Sequence, residues 1–300
     1  MRLSAIALSL LAAACAREIA PEAANPEAAG EPAIAAPETA PAARPSLEAM
    51  WVAEGFSAPE GVALSPDGAY FISNVGGEET DGDGYISKLG ADGKIITERF
   101  IDGLDGPKGM AVHDGFLYAT DIEVVRLFDA ATGAAGAIVV IPEAKFLNDA
   151  TVWNGEVYVS DSGTARIWRL SPEGPVVWRE GGELSGVNGL LGDGDRMLVS
   201  TMTSGGLFEA RADGGWREIA AGMENADGIG IVSDGAGGGF LVSSWPGEIH
   251  HVAPDGSTAT LIDTKEAGVL QNDLTIYGDV AIVPNWRPGT VTAWRIDAAD

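Results

Sequence analysis

Six polar residues, Glu60, Lys108, Asn148, Asn188, Asp227 and Asn272, each stand at a polar corner just ahead of an apolar run, spaced about 40 to 48 residues apart. Asp149 and Asp273 directly follow two of them. A charge at the threshold of an apolar strand is costly unless something binds it. Carboxylate and carboxamide oxygens without thiolate or imidazole suit a hard cation such as calcium, magnesium or manganese. Such a cluster repels itself when empty. Glu60, in "APEGVALSPDGAYFIS", is therefore read as a metal ligand, held on a constrained corner by Pro59 and Gly61. The competing reading is local bonding of Asn and Asp side chains to the backbone at strand entries. That accounts for one corner more readily than for Glu60, Asn188 and Asp227 in matching register.

The elements that must position these residues are hairpins. Each repeat has a polar corner, an apolar run, a turn, and a second run ending in small polar residues. "PEGVALSPDGAYFISN", "PKGMAVHDGFLYATD" and "LNDATVWNGEVYVSDS" share one register. "VNGLLGDGDRMLVST", "ADGIGIVSDGAGGGFLVSS" and "QNDLTIYGDVAIVPN" are looser copies. Six units of about 40 residues, each with room for four short strands, predict an all-β, six-bladed propeller. About 28 residues follow Asn272, enough for three strands. The stretch "LEAMWVAEGF" before the first repeat is expected to supply the fourth, closing the ring and removing exposed edges. Residues preceding six equivalent inner strands then converge at one mouth of the central channel.

The propeller is expected over residues 47–300. Residues 1–15, "MRLSAIALSLLAAAC", have an arginine, a short apolar run and small residues before Cys15, the sole cysteine, which is the pattern of an export signal. The lone cysteine after Leu-Ala-Ala-Ala resembles a bacterial lipobox, so Cys15 is the expected lipidation site and the only membrane attachment. With Ala16 following it, that reading places the protein in the bacterial periplasm or at the outer membrane. Residues 16–46, rich in Ala, Pro and Glu and without aromatics, cannot form a core and read as a disordered tether. With 46% hydrophobic residues the remainder is globular. A net charge of −26 argues against nucleic acid as a partner. No Gly-x-Ser-x-Gly elbow is present, which argues against a serine hydrolase. His113 lies in a turn roughly 15 Å along its strand from the mouth. His250 and His251 are expected on an outer strand, and Trp286 near the mouth.

The corners "PEGV", "LNDATV", "VNGL" and "ADGI", in this order, resemble the gluconolactonase, senescence marker protein and luciferin-regenerating enzyme family of six-bladed propellers, over about residues 47–298. The resemblance implies one divalent metal on Glu60, Asn188 and Asp227, with Asn148 on substrate or metal. Calcium is the first choice, with magnesium, manganese and zinc as alternatives. It implies hydrolysis of a lactone or related ester. In such a hydrolase, expected to be a monomer, Asp227 would orient or deprotonate water, and Asn148 with Lys108 would hold the substrate or its developing oxyanion. The family's proline is replaced by Val62, Val187 and Ala226, and its substrate-binding arginine has no counterpart. Lys108 either takes that role or offsets the carboxylates. The alternative function is a non-catalytic acidic binding module with a structural metal.

Overall fold

Tight turns rich in glycine and aspartate separate short apolar runs in this chain, and each run forms a strand. The computed structural model describes residues 44–77 and 79–298. The export signal, Cys15 and nearly all of the proposed tether lie outside the described residues. Six antiparallel sheets stand around one axis, and in the first five the four strands follow chain order from the axis outward. The inner strands of blades 1 to 5 are Pro59–Leu64, Pro107–His113, Leu147–Trp153, Val187–Asp193 and Ala226–Ile231. In blade 6 two segments, Leu270–Gln271 and Thr275–Tyr277, share that place, both paired with Val280–Arg287.

The ring closes as the strand count requires. Ser46–Glu54 pairs antiparallel with Thr290–Asp297, from Ser46 opposite Asp297 to Glu54 opposite Thr290. The first and last described strands thus lie in one sheet. Apolar side chains fill the gaps between blades: Phe71, Ile86 and Leu117 between blades 1 and 2, and Val187, Met197 and Trp153 between blades 3 and 4.

Every inner strand breaks its register at the corner. Pro59 pairs with Asn74 but Val62 with Ile72, so Glu60 and Gly61 together oppose one residue, Ser73. The same slip falls at Lys108–Gly109, Asn148–Asp149, Asn188–Gly189 and Asp227–Gly228. A bulge of this kind bends the strand and re-aims its side chains. Hydroxyls on the second strands hold it. The Ser73, Ser160, Ser200 and Ser243 hydroxyls accept from the amides of Gly61, Asp149, Gly189 and Gly228 at 2.7–2.9 Å. Thr120 and Ser160 donate onward to the Asn148 and Asn188 carbonyls of the next blade, at 2.6 and 2.7 Å. Ser200 donates in the same way to the Asp227 carbonyl. At the seam, Asn272 Nδ2 donates to the Pro59 carbonyl at 3.1 Å.

The second bulge residue is glycine in four blades because the next inner strand crosses directly over it. A Cβ on Gly228 would lie 2.0 Å from the Leu274 amide nitrogen, and one on Gly189 2.3 Å from the Asp227 carbonyl oxygen. Backbone cannot yield as a side chain can. Gly228→Ala should therefore destabilise the protein by about 2–3 kcal/mol, measured by urea denaturation. Gly182→Ala, where a Cβ meets nothing within 4 Å, should shift the same curve by less than about 0.5 kcal/mol.

Candidate functional site

The corner residues are all buried: Glu60, Lys108, Asn148, Asn188, Asp227 and Asn272 are each at most 6% exposed. They sit within the bulged start of the inner strands rather than before them. The next position inward is different. Asp149 and Asp273 line a channel cavity of about 600 Å³ together with Val62, Met110, Leu190 and Tyr277, and no corner residue lines it. Blades 3 and 6 thus carry an acid where the other four carry glycine.

Both channel acids are braced by backbone amides. Asp149 accepts from Ala150 at 2.7 Å and from Leu190 of the next blade at 2.6 Å. Asp273 accepts from Leu274 at 2.7 Å and from Val62, across the seam, at 3.4 Å. These bonds couple neighbouring blades and pull against the protonated form, yet burial dominates.

Desolvation pushes Asp149 up to about 7 despite its amide bonds. Asp227 is pushed up to about 8, by burial first and by Asp149 second, while the Asn188 carboxamide hydrogen-bonded to it acts in the opposite direction. Glu60 is held well above the ordinary carboxylate range by burial and then by Asp227, with Lys108 partly offsetting this and Asp149 and Glu79 adding to it. Asp273 is raised as well, by burial and then by Asp149, Asp227 and Glu60. Acids from blades 1, 3, 5 and 6 therefore feel one another across the axis, as ring closure demands.

Lys108 is the cation among the six corner residues, and its ammonium is engaged. It pairs with Glu79 at 2.6 Å, donates to the Gly106 carbonyl at 3.3 Å and lies 4.4 Å from the Phe146 ring centroid. Of its two expected roles, the geometry favours offsetting the carboxylates. Glu79, on the loop between the second and third strands of blade 1, is a site residue that sequence reasoning missed. It falls in "GGEETDGDG", outside the repeated corner pattern. Asn272 spends its amide on the seam.

The histidines take no part. His113 lies at the far end of its inner strand beside Asp114. His250 and His251 are buried in the third strand of blade 5, bonded to Thr260 and to the Gly238 carbonyl.

The donor set fits a hard cation. Asn188 Oδ1 is buried with no hydrogen-bond partner, although the same carboxamide contacts Asp227. A buried acceptor left unpaired is expensive, and a cation between Glu60, Asp227 and Asn188 would satisfy it. Among the described residues no three His, Cys, Asp or Glu side chains group closely enough to hold a metal by themselves. The carboxamide is thus an integral part of any such site.

With this geometry in view, similarity to solved structures is informative about the fold. A gluconolactonase from Xanthomonas campestris superposes with a TM-score of 0.63 at 17% identity, covering 86% of this chain and 99% of that one. Virginiamycin B lyase from Staphylococcus aureus gives 0.61 at 12% identity, covering 84% and 99%. A PQQ-bound aldose sugar dehydrogenase from Streptomyces coelicolor gives 0.62 at 16% identity, covering 86% and 100%. No protein-family model and no curated protein matches the sequence. The shared property is the propeller, on which these proteins carry three different chemistries.

The raised acids set a pH dependence. A carboxyl whose folded pKa exceeds its unfolded value binds more protons when folded, so stability falls as pH rises between the two. With Asp149 near 7 and Asp227 near 8, chelator-treated protein should lose stability steadily from about pH 4 to pH 8. Asp227→Asn should flatten that slope in denaturation curves taken at pH 5 and pH 8. Excess calcium at pH 8 should restore most of the loss in the unmodified protein.

Proposed function

We propose that the protein is a divalent-metal-dependent hydrolase of a lactone or related ester, carried outside the cytoplasm on a lipid anchor at Cys15. The observation that supports it is the pairing of two buried, mutually repelling carboxylates, Glu60 and Asp227, with the partnerless Asn188 Oδ1. Glu60, Asn188 and Asp227 would hold the ion, with Asn148 completing the set, and calcium is the cation that oxygen donors of this kind favour. The bound ion supplies Lewis-acid polarisation of an ester carbonyl.

The remaining steps belong to side chains. Asp227, held as a carboxylate when the cation is bound, would take a proton from an attacking water. The Asn188 carboxamide orients the carboxylate that does so. Asn148 offers an amide donor to the carbonyl oxygen as negative charge develops there. Lys108, tied to Glu79, partly offsets what burial and Asp227 do to Glu60 and adds positive potential at the mouth without leaving its pair.

Purified protein assayed on a panel of lactones and esters should lose turnover on chelation and regain it with calcium, and metal analysis should give one ion per chain. Asp227→Ala should lower kcat/KM at least about 100-fold and abolish metal binding measured by calorimetry. Activity surviving that change would remove Asp227 from the mechanism. Chelation that lowers stability, with no turnover on any ester, would favour the binding module.

A further inference from the structure

A second row of residues encircles the mouth above the corners. One polar residue at or near the end of each second strand, Asn74, Asp121, Asp161, Thr201, Ser244 or Asn285, pairs with the residue that precedes the corner of its own blade. The residue after it must therefore project beyond the corner, on the same face. Those six residues are Val75, Ile122, Ser162, Met202, Trp245 and Trp286. Five are apolar, and all but Val75 remain partly exposed.

The apolar row is held in place. Trp245 and Trp286, from adjacent blades, meet edge to face with ring centroids 5.6 Å apart at 76°, the arrangement the ring quadrupoles prefer. Ile122 adopts φ +60°, an outlier for a β-branched residue. Its carbonyl accepts from Leu147 at 2.8 Å, and its side chain lies against Gly106 at the mouth. Strain kept at such a position points to use. Phe146, beneath the Lys108 ammonium, adds another aromatic surface.

A polyhydroxylated sugar ring needs a dense set of donors and acceptors, because each hydroxyl buried unpaired is costly. This row offers one hydroxyl, Ser162, itself donated to the Val187 carbonyl, and the corner lysine, Lys108, is committed to Glu79. We propose that the non-reacting part of the substrate is apolar, an alkyl- or aryl-substituted lactone or ester, and that Trp245 and Trp286 are its specificity-determining residues. This rests on the hydrolase reading for the reacting end alone. The apolar end is recognised independently of the ion.

The test compares calcium-loaded wild type, Trp245→Ala and Trp286→Ala on γ-lactones of increasing alkyl chain length and on glucono-δ-lactone, with thermal unfolding to confirm each fold. For the wild type, kcat/KM should rise at least about 10-fold from unsubstituted to hexyl-substituted lactone. Either variant should cut the hexyl substrate about 10-fold and the unsubstituted one less than about 3-fold. Preference for the sugar lactone, or equal loss on every substrate, would overturn the proposal. If no lactone is turned over, the hydrolase reading fails, and binding of a hydrolysis-resistant hexyl lactam, read by tryptophan fluorescence, decides the inference. Saturable quenching lost in the variants supports it; no binding to the wild type overturns it.

Discussion

The bulge at each corner, locked in five of the six blades by a hydroxyl from the neighbouring strand, is the constraint on which the rest of the molecule depends. Strict alternation along an inner strand would send the corner side chains onto blade faces. The one-residue slip re-aims them into one buried ring. Because Thr120, Ser160 and Ser200 also reach the next blade's corner carbonyl, each corner's geometry is set partly by the blade before it. The seam carries the same coupling with different groups, Asn272 to Pro59 and Val62 to Asp273. The closing strand Ser46–Glu54 thus matters for the mouth as well as for the sheet edge, since it fixes blade 6 against blade 1.

Electrostatics at the mouth run against what the same protein does on its surface. Glu209 is nearly buried, which raises its pKa, but Arg217, Arg211 and Arg196 all bond to it and hold it at about 2. The chain is therefore able to neutralise an acid fully where structure alone is at stake. At the axis it gathers Glu60, Asp149, Asp227 and Asp273 and provides one ammonium, which Glu79 shares. Packing elsewhere must offset that uncompensated repulsion. Groups held so far from their ordinary pKa values are more often found at sites that work than in scaffolding.

Much of this is legible in the sequence because turn chemistry and spacing are local signals. Asp-Gly and Asn-Gly turns mark the hairpins, the repeat length sets the blade, and the short count after Asn272 demands a closing strand from before Glu60. The corner row is legible too, since its residues hold equivalent places in each repeat. Glu79 is not, because it belongs to a loop found in one blade alone, and only the fold brings it to Lys108. The difference between corner and channel is hidden for another reason. Asn148 and Asp149 are adjacent letters, yet the bulge turns one into the buried ring and the other toward the cavity. The small polar residues ending each second strand are visible in the sequence, but their task, bridging two corners at once, depends on blades packed side by side.

Four rows at one end of the propeller now have separate physical tasks. The corner row supplies five oxygen donors and one ammonium, the residue after it is glycine in four blades, where a neighbouring strand crosses it, and a channel acid in the other two, the hydroxyl row locks the bulge, and the row above it lines the mouth. Adjacent positions in sequence fall in different rows, so a substitution in one need not disturb another. Gly228 cannot change without moving Leu274, whereas Trp286 is partly exposed and meets the Trp245 ring, a side chain that can yield. The scaffolding rows are therefore rigid and the outermost row is permissive. Such separation is one way in which a single propeller fold can carry different chemistries: in this chain the groups at the corners and the wall above them can change without moving the strands that hold them.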